Sequence, residues 1–405
     1  MTKNVCVLGL GYIGLPTAAT LGAKGYKVSG YDVNESVVAT INQGKIHIVE
    51  PGLDHAVEQS VKTGNLSAST AVTVSDVYII CVPTPITSVG GATPVPNLKY
   101  INEVVETIAL ILKAGDLIIL ESTSPVGTTA GIKVKLEDMG VQTKGLLFAC
   151  CPERVIPGNV MIEIVENDRI VGGLTPEATT LAADFYRTFV SGEILQTNSQ
   201  TAEMAKLAEN ASRDVNIAFA NELSMLCDNV DVDVWELIKL SNRHPRVNIL
   251  QPGPGVGGHC IAVDPWFLVS MDEGHSKLTR RAREVNVSKE HWAVEQVKAV
   301  CDGIDKEISD IKVACLGLAF KPDIDDLRES PAIRIVDALK GSGYDVICVE
   351  PNLVTHDRFT LLDLDDVFDI ADVIVILVKH SEFQVSNIKI KLLERDAIDL
   401  CGATK

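Results

Sequence analysis

Positive charge is what this chain has least of. Lys and Arg number 36 against 54 Asp and Glu, for a formal net charge of -18. That balance excludes general binding to nucleic acid or to an anionic membrane, both of which need a basic face. It leaves room for a small anionic ligand held by local charge. Long apolar runs are also missing: none reaches the ~18 residues needed to cross a bilayer. The chain opens in a strand-like run, with no charged-then-apolar leader. Its ten cysteines form no Cys-x-x-Cys pair, and no Cys/His cluster has zinc spacing, so no metal is expected. Cys6, Cys81, Cys315 and Cys348 sit in apolar strand-like runs, where a small buried hydrophobe is expected. These absences predict unpaired thiols in a reducing compartment and a cytoplasmic protein.

What is there is enough for two or three domains: 405 residues, 46% hydrophobic and 22% charged. Asn4 to Gly9 is a short apolar run, and the glycines that follow decide for a strand. An Ala-rich amphipathic stretch comes next, from Pro16 to Lys24. A second strand, Lys27 to Tyr31, ends at Asp32. Further apolar strands are expected at 77–82, 117–121 and 146–150, with helical patterns between them. Alternation of this kind means parallel βαβ units in a doubly wound sheet. From Thr201 to Asn229 there is neither proline nor glycine, and apolar residues recur at helical spacing. That predicts a long helix, suited to connecting domains or to a dimer contact. Residues 232–245 and 278–301 also read as helical. A second βαβ pattern opens at 312 with the strand-to-glycine run KVACLGLAF, followed by a helix at 331–340 and strands at 345–349 and 373–378. The expected fold is α/β: two Rossmann-like doubly wound domains joined by a long central helix and a helical middle domain.

Gly9-Leu-Gly11-Tyr-Ile-Gly14 has the form G-x-G-x-x-G. Its glycines allow a tight turn, close approach of a pyrophosphate and close packing of helix on strand, and the helix N-terminus favours the phosphates. Asp32 ends the next strand, where an acid hydrogen-bonds ribose hydroxyls and repels a 2′-phosphate. The pattern therefore predicts NAD. Thr84 and Thr123 follow apolar strands at the ligand end of such a sheet, where their hydroxyls either meet the cofactor or serve turn chemistry. Lys206, Asn210 and Arg213 share one face of the long helix, as either a solvated polar stripe or an anion or oxyanion site.

The run Gly-Pro-Gly-Val-Gly-Gly-His-Cys-Ile-Ala-Val-Asp-Pro (253–265) packs four glycines into six positions before Cys260, with Asp264 four residues on. Such a loop lets a ligand approach the backbone closely. Cys260 is then either a nucleophile or a buried structural thiol. Arg243, His244 and Arg246 lie just ahead of it, and the charged run Phe320 to Pro331 follows the second domain's first strand. Basic groups beside glycine-rich loops suit a diphosphate, or are ordinary surface.

Taken in order, GLGYIG, VPTP, ESTSPVG, CPER, AEMAKLAEN, the GGHC loop and FKPDIDDLRESP resemble the UDP-glucose/GDP-mannose dehydrogenase family over nearly the whole chain. The segments IHIVEPGL, TAEMAKLAENASRDVNIAFANE and NRHPRVNILQPGPGVGGHCIAVDPWF look most like the branch acting on UDP-N-acetyl-D-mannosamine. UDP-glucose members more often have Lys-Asp-Pro where Val263-Asp264-Pro265 stands. The resemblance implies a two-step, four-electron oxidation of a UDP-sugar alcohol to a carboxylate, with NAD, one water and a thioester on Cys260. It implies Lys206 as proton acceptor and oxyanion partner, Asn210 as a second oxyanion partner, Asp264 as a group that orients water, and Glu153 as base. Cofactor contacts carry over to Gly9, Gly11, Tyr12, Ile13, Gly14, Asp32, Thr84, Thr123 and Arg328. Substrate contacts carry over to Arg154, Val155, Lys206, Asn210, Arg213, His244, Arg246, Gly257, Phe320 and Lys321. The implied domains are 1–198 for NAD, 199–302 for a helical dimerisation part and 303–405 for the UDP-sugar, with closure around substrate and a homodimer. Related chains carry a basic residue near the C-terminus where this one has Cys401, which therefore stays outside the expected site. A close rival is the same oxidation on another nucleotide sugar, such as UDP-glucose, UDP-N-acetylglucosamine or UDP-N-acetylgalactosamine, and two readings of other kinds remain from the residues alone. One is a single-oxidation β-hydroxyacid-type dehydrogenase with Lys206 as acid/base; the other is a non-catalytic sensor, which has no need of Cys260, Lys206 and Asn210 together.

Overall fold

A computed structural model describes residues 4–88 and 92–405. The chain divides into two compact units, 1–209 and 210–405. The first unit is built on strands β1 (Asn4–Leu8), β2 (Lys27–Tyr31), β3 (Leu66–Ser69), β4 (Val77–Ile80), a short hairpin of β5 (Ile86–Thr87) and β6 (Val95–Pro96), then β7 (Leu117–Leu120), β8 (Leu147–Cys150), β9 (Arg169–Gly173) and β10 (Ile194–Asn198). Eight of these form one sheet in the order β10-β9-β8-β7-β4-β1-β2-β3. The strands from β3 to β8 are parallel; β9 pairs antiparallel to β8, and β10 follows β9. The parallel βαβ units expected are present from β1 to β8, and the β9–β10 pair at the edge makes the whole sheet mixed. The chain leaves β8, makes the short helix Val160–Glu166 and re-enters beside the end it left, so β9 runs the other way.

Both faces of this sheet are buried, which is why its strands read as continuous apolar runs. Val5, Val7, Val77, Ile79, Leu117 and Ile119 face one core. Cys6, Leu8, Tyr78, Ile80, Ile118 and Leu120 face the other. The strand order reverses between β1 and β4, the place where doubly wound sheets open a crevice beyond their carboxyl ends.

The second unit carries a four-stranded parallel sheet of β11 (Lys312–Leu316), β12 (Asp345–Val349), β13 (Val373–Ile376) and β14 (Ile398–Asp399), ordered β12-β11-β13-β14. Val313, Cys315 and Cys348 pack with Ile335 and Leu339 of helix Pro331–Gly341 and with Val297 of helix Lys277–Cys301. Ala314, Leu316 and Ile376 pack on the opposite face.

The long helix runs Ser199–Asp228, across the boundary between the units. Its apolar residues divide between two faces: Leu207, Ala211 and Ala218 are buried, whereas Met204, Phe219 and Leu226 are exposed. The helix expected at 232–245 is shorter, Val234–Ser241, and ends in turns before Arg246. Cys6, Cys315 and Cys348 are buried as expected; Cys81 lies one residue past β4 and is only half-buried.

Candidate active site

The carboxyl end of the first sheet is built around the Gly9–Gly14 turn. Gly9 has φ of +92°, and a Cβ there would meet the Cys81 carbonyl oxygen at 2.9 Å, so only glycine fits. A Cβ on Gly14 would fall 1.8 Å from the Gly9 carbonyl oxygen. At Gly11, by contrast, nothing lies within 4 Å of the added carbon. The turn is tight on its inner side and open at the position a phosphate approaches. Helix Gly14–Ala23 starts there with Ile13 at its N-cap, without a side-chain cap and without an acid in its first turn. Its leading end therefore presents positive potential. Asp32, half-buried at the end of β2, accepts from the Leu10 amide at 3.0 Å and the Asn34 amide at 2.9 Å. It fixes the turn from the end of the strand, the position expected to meet a ribose. Thr84 donates to the Thr123 carbonyl at 2.5 Å, and Ser122 to the Val82 carbonyl at 2.7 Å, stitching the loops after β4 and β7 together. These residues fit NAD: an open cradle, an uncapped helix start and an acid at the ribose position.

Beneath this end lies a buried polar cluster that joins the expected Glu153 to Glu121 and Arg169, two residues the sequence reading passed over. Glu121, 1% exposed, accepts from Tyr186 Oη at 2.6 Å and from Cys81 Sγ at 3.2 Å. Burial raises its pKa, against the lowering pull of Arg169. Arg169, 1% exposed, donates to Glu153 at 2.8 Å, and the other oxygen of Glu153 takes the Arg154 amide at 2.5 Å. Glu153 is thereby clamped at both oxygens. Arg154 grips Glu209 through Nη2 at 2.8 Å and Nε at 3.1 Å. Val155 follows, half-buried. The long helix is tied to this end by Glu203, which accepts from the Gly127 amide at 2.6 Å and from the Thr129 amide and hydroxyl at 2.7 and 2.6 Å. Lys206 stands less than one turn further along that helix, half-buried.

In the second unit, Cys260 is the exposed one of the ten cysteines. Its carbonyl accepts from the amides of Val263 and Asp264 at 3.1 and 2.8 Å, so the turn that carries it leads straight into helix Asp264–Met271. Asp264, the first residue of that helix and 3% exposed, accepts from the Asn210 side-chain amide at 2.5 Å. Two residues expected at the site, 54 positions apart, are therefore hydrogen-bonded. Asp214, one turn beyond Asn210 and fully buried, accepts from Arg283 at 2.7 Å and from Asn286 at 2.8 Å. Asn286 accepts from Asn221 at 2.9 Å, and Asn221 accepts from the Gly253 amide at 2.9 Å. This chain fixes the base of the glycine loop to both long helices.

The tip of the glycine loop packs on the 320–331 segment. A Cβ on Gly258, whose φ is +81°, would meet the Phe320 ring at 2.9 Å; one on Gly257 would meet Phe320 Cβ at 2.7 Å. The Gly258 amide donates to the Arg328 carbonyl at 3.0 Å. Arg328 is held by Asp326 through Nε at 2.8 Å and Nη2 at 2.6 Å. Burial, then the charge of Arg328, lowers the pKa of His259. Lys321 and Arg213 are exposed. His244 and Arg246 occupy an exposed turn whose hydrogen bonds are local, Arg246 amide to His244 Nδ1 at 3.3 Å among them. Cys401 directs its sulfur at the Ile376 carbonyl, and burial pushes its thiol pKa well up. A cavity of about 550 Å³ in this unit is lined by Trp235, Lys289 and Trp292 among others, and none of its lining residues is an expected site residue.

Glu121, Arg169, Glu203 and Asp214 are the residues that sequence reasoning passed over. Each is a charged residue that composition rules place at the surface, and each is buried against a partner distant in sequence.

The models of one family match the chain in three consecutive stretches. The NAD binding domain of the UDP-glucose/GDP-mannose dehydrogenase family matches residues 3–190, its central domain 200–288 and its UDP binding domain 314–403. The chain is 52% identical over 401 residues to a UDP-N-acetyl-D-mannosamine dehydrogenase of Campylobacter jejuni, covering 94% of this chain and 96% of that one. It is 47% identical over 418 residues to an NDP-N-acetyl-D-galactosaminuronic acid dehydrogenase of Ralstonia nicotianae, covering 99% and 96%. A solved UDP-D-ManNAc dehydrogenase from Pyrococcus horikoshii superposes with a TM-score of 0.91 at 39% identity, over 99% of this chain and 96% of that one. With all three parts matched in order along a single chain, the protein belongs to the UDP-glucose/GDP-mannose dehydrogenase family.

Proposed function

We propose that the enzyme oxidises UDP-N-acetyl-D-mannosamine at carbon 6 to UDP-N-acetyl-D-mannosaminuronate, consuming two NAD and one water and releasing two NADH and three protons. The observation that carries the chemistry is the Asn210–Asp264 hydrogen bond at the exposed Cys260 turn, with Lys206 one turn ahead on the Asn210 helix. The names of the Campylobacter and Pyrococcus relatives support the substrate.

NAD, held by Gly9, Gly11, Tyr12, Ile13, Gly14, Asp32, Thr84, Thr123 and Arg328, supplies the hydride acceptor in both oxidations. Lys206 takes the proton of the 6-hydroxyl as the first hydride leaves carbon 6, giving an aldehyde. The Cys260 thiolate then adds to that carbon, and Lys206 and Asn210 hold the resulting oxyanion. Departure of the second hydride leaves a thioester. Water, oriented by Asp264 and deprotonated by Glu153, displaces the thiolate and frees the carboxylate. Arg154, Val155, Arg213, His244, Arg246, Gly257, Phe320 and Lys321 bind the UDP-sugar.

In this reading residues 1–198 hold NAD, 303–405 hold the uridine diphosphate and 199–302 join two copies into a homodimer. Support for the dimer comes from Phe219 and Leu226, both exposed and two turns apart on one face of the long helix. The cytoplasm, where a nucleophilic thiol stays reduced, is the compartment. Among the described residues no helix is long and apolar enough to cross a membrane.

The 47% identity to the Ralstonia relative favours a second reading, the same oxidation on an N-acetylgalactosamine nucleotide. A panel of UDP sugars assayed by NADH absorbance, with NAD and with NADP, separates the two. The expected result is fastest turnover on UDP-N-acetyl-D-mannosamine with NAD and two NADH per sugar. One NADH per sugar rejects the scheme.

A further inference from the structure

The second unit repeats the acid-after-strand arrangement of the first, and puts it to a different use. Asp32 follows β2 and takes the Leu10 amide; Glu350 follows β12 and takes the amides of Leu318 and Ala319 at 2.7 and 3.0 Å. Asp32 is half-buried beside an open turn. Glu350 is 4% exposed and is covered by His380, itself wholly buried, whose Nε2 lies 3.1 Å from the same carboxylate oxygen. No ligand hydroxyl has access to it.

His380 passes the connection on. Its Nδ1 accepts from the Asp323 amide at 3.0 Å and from Asn352 Nδ2 at 3.1 Å, so Nε2 carries the proton and donates to Glu350. Asp323 is gripped a second time: the amide and hydroxyl of Ser381 donate to its carboxylate at 2.8 and 3.0 Å. It is held at φ of +59°, a left-handed conformation that a non-glycine residue adopts only under constraint. Ala319 is pinned at one end and Asp323 at the other, both through the Glu350–His380 pair. Only Phe320, Lys321 and Pro322 lie between, and Phe320 is the residue seated on Gly257 and Gly258, two positions before Cys260.

We propose that His380 and Glu350 are positioning residues for the reaction: they fix the Phe320–Lys321 bridge against the nucleophile's loop, so that nucleotide-sugar binding and placement of Cys260 are set by one buried pair. This rests on the nucleotide-sugar reading above. A role in folding alone lowers the active fraction, and hence kcat, but leaves KM unchanged. A positioning role raises KM for the sugar nucleotide selectively.

The test uses the full-length enzyme with His380→Ala, His380→Gln and Asp323→Ala. Asp323 is exposed, so its replacement loosens the bridge without opening the core. The measurements are KM for UDP-N-acetyl-D-mannosamine and for NAD, the Kd of UDP by calorimetry, and the alkylation rate of Cys260 by iodoacetamide. Expected are a rise of about tenfold or more in sugar-nucleotide KM and UDP Kd for His380→Ala, and about threefold for Asp323→Ala. His380→Gln should fall between native and His380→Ala, with NAD KM within twofold throughout and a changed alkylation rate. Sugar-nucleotide KM and UDP Kd within twofold of native in whichever of these variants folds overturn the proposal. If His380→Ala does not fold, Asp323→Ala decides. Failure of the native enzyme to bind UDP or to oxidise any nucleotide sugar removes the underlying reading instead, before a variant is compared.

Discussion

Asn210 donates its side-chain amide to the carboxylate of Asp264 across 2.5 Å, joining the long helix to the first residue of the helix that follows the Cys260 turn. An amide so held has one N–H directed at Asp264, and in the proposed reaction the other meets the oxyanion. Asn210→Ala removes both, and kcat is expected to fall on the order of 100-fold, with NAD KM nearly unchanged. Asp264→Asn keeps an acceptor for Asn210 but loses the charge. It should fold with native stability and still lose kcat. Steady-state kinetics and a thermal melt of each variant check this.

Asp214 and Arg283 form a salt bridge with 0% and 4% side-chain exposure. Removing one partner strands the other charge in the core, at a cost of about 3–5 kcal/mol. Asp214→Ala should lower the urea midpoint accordingly. The double variant Asp214→Leu with Arg283→Met should be more stable than Asp214→Ala, because no uncompensated charge remains.

Glu350 gives a pH signature. Burial alone would raise its pKa, but the hydrogen bonds from His380 and the Leu318 and Ala319 amides outweigh that and bring it from 4.5 down to about 2. Its folded pKa lies below the unfolded one, so its contribution to stability is complete above about 4.5 and is lost as pH falls toward 2. The shift corresponds to about 3 kcal/mol. The stability difference between native protein and Glu350→Gln should therefore be largest near neutrality and shrink between pH 4.5 and 2. Urea titrations across that range measure it; a pH-independent difference contradicts it.

Gly258 combines φ of +81° with a Phe320 ring carbon 2.9 Å from where a Cβ would stand. Gly258→Ala meets both penalties, of which the backbone part is about 1 kcal/mol. It should displace the Cys260 turn and lower kcat by tenfold or more. Adding Phe320→Ala relieves the clash but not the backbone strain, and so should restore stability only in part.

How much of this was legible in the sequence follows from where the signals are local. The bounds of β2 read directly, because a glycine turn opens it and Asp32 closes it. The long helix came within two residues at its start, since 29 residues without proline or glycine leave few other structures. Strands β9 and β10 were missed: Arg169 opens one, and Gln196, Thr197 and Asn198 close the other, so neither shows a buried apolar run. The nucleophile loop was legible from its glycines, but its supports were not. Asp214 is 69 positions from Arg283, and Glu350 is 30 from His380. A charged residue looks solvent-facing until the fold supplies its partner.

The central claim is that the Cys260 sulfur captures the half-oxidised sugar so that a second hydride can leave. Carboxylate formation from UDP-N-acetyl-D-mannosamine by Cys260→Ala, measured beside native enzyme with NADH counted per sugar, tests it most directly. The account predicts two NADH per sugar for the native enzyme and a loss of acid formation by on the order of 1,000-fold or more in the variant. Native rates of acid formation without the thiol would contradict it.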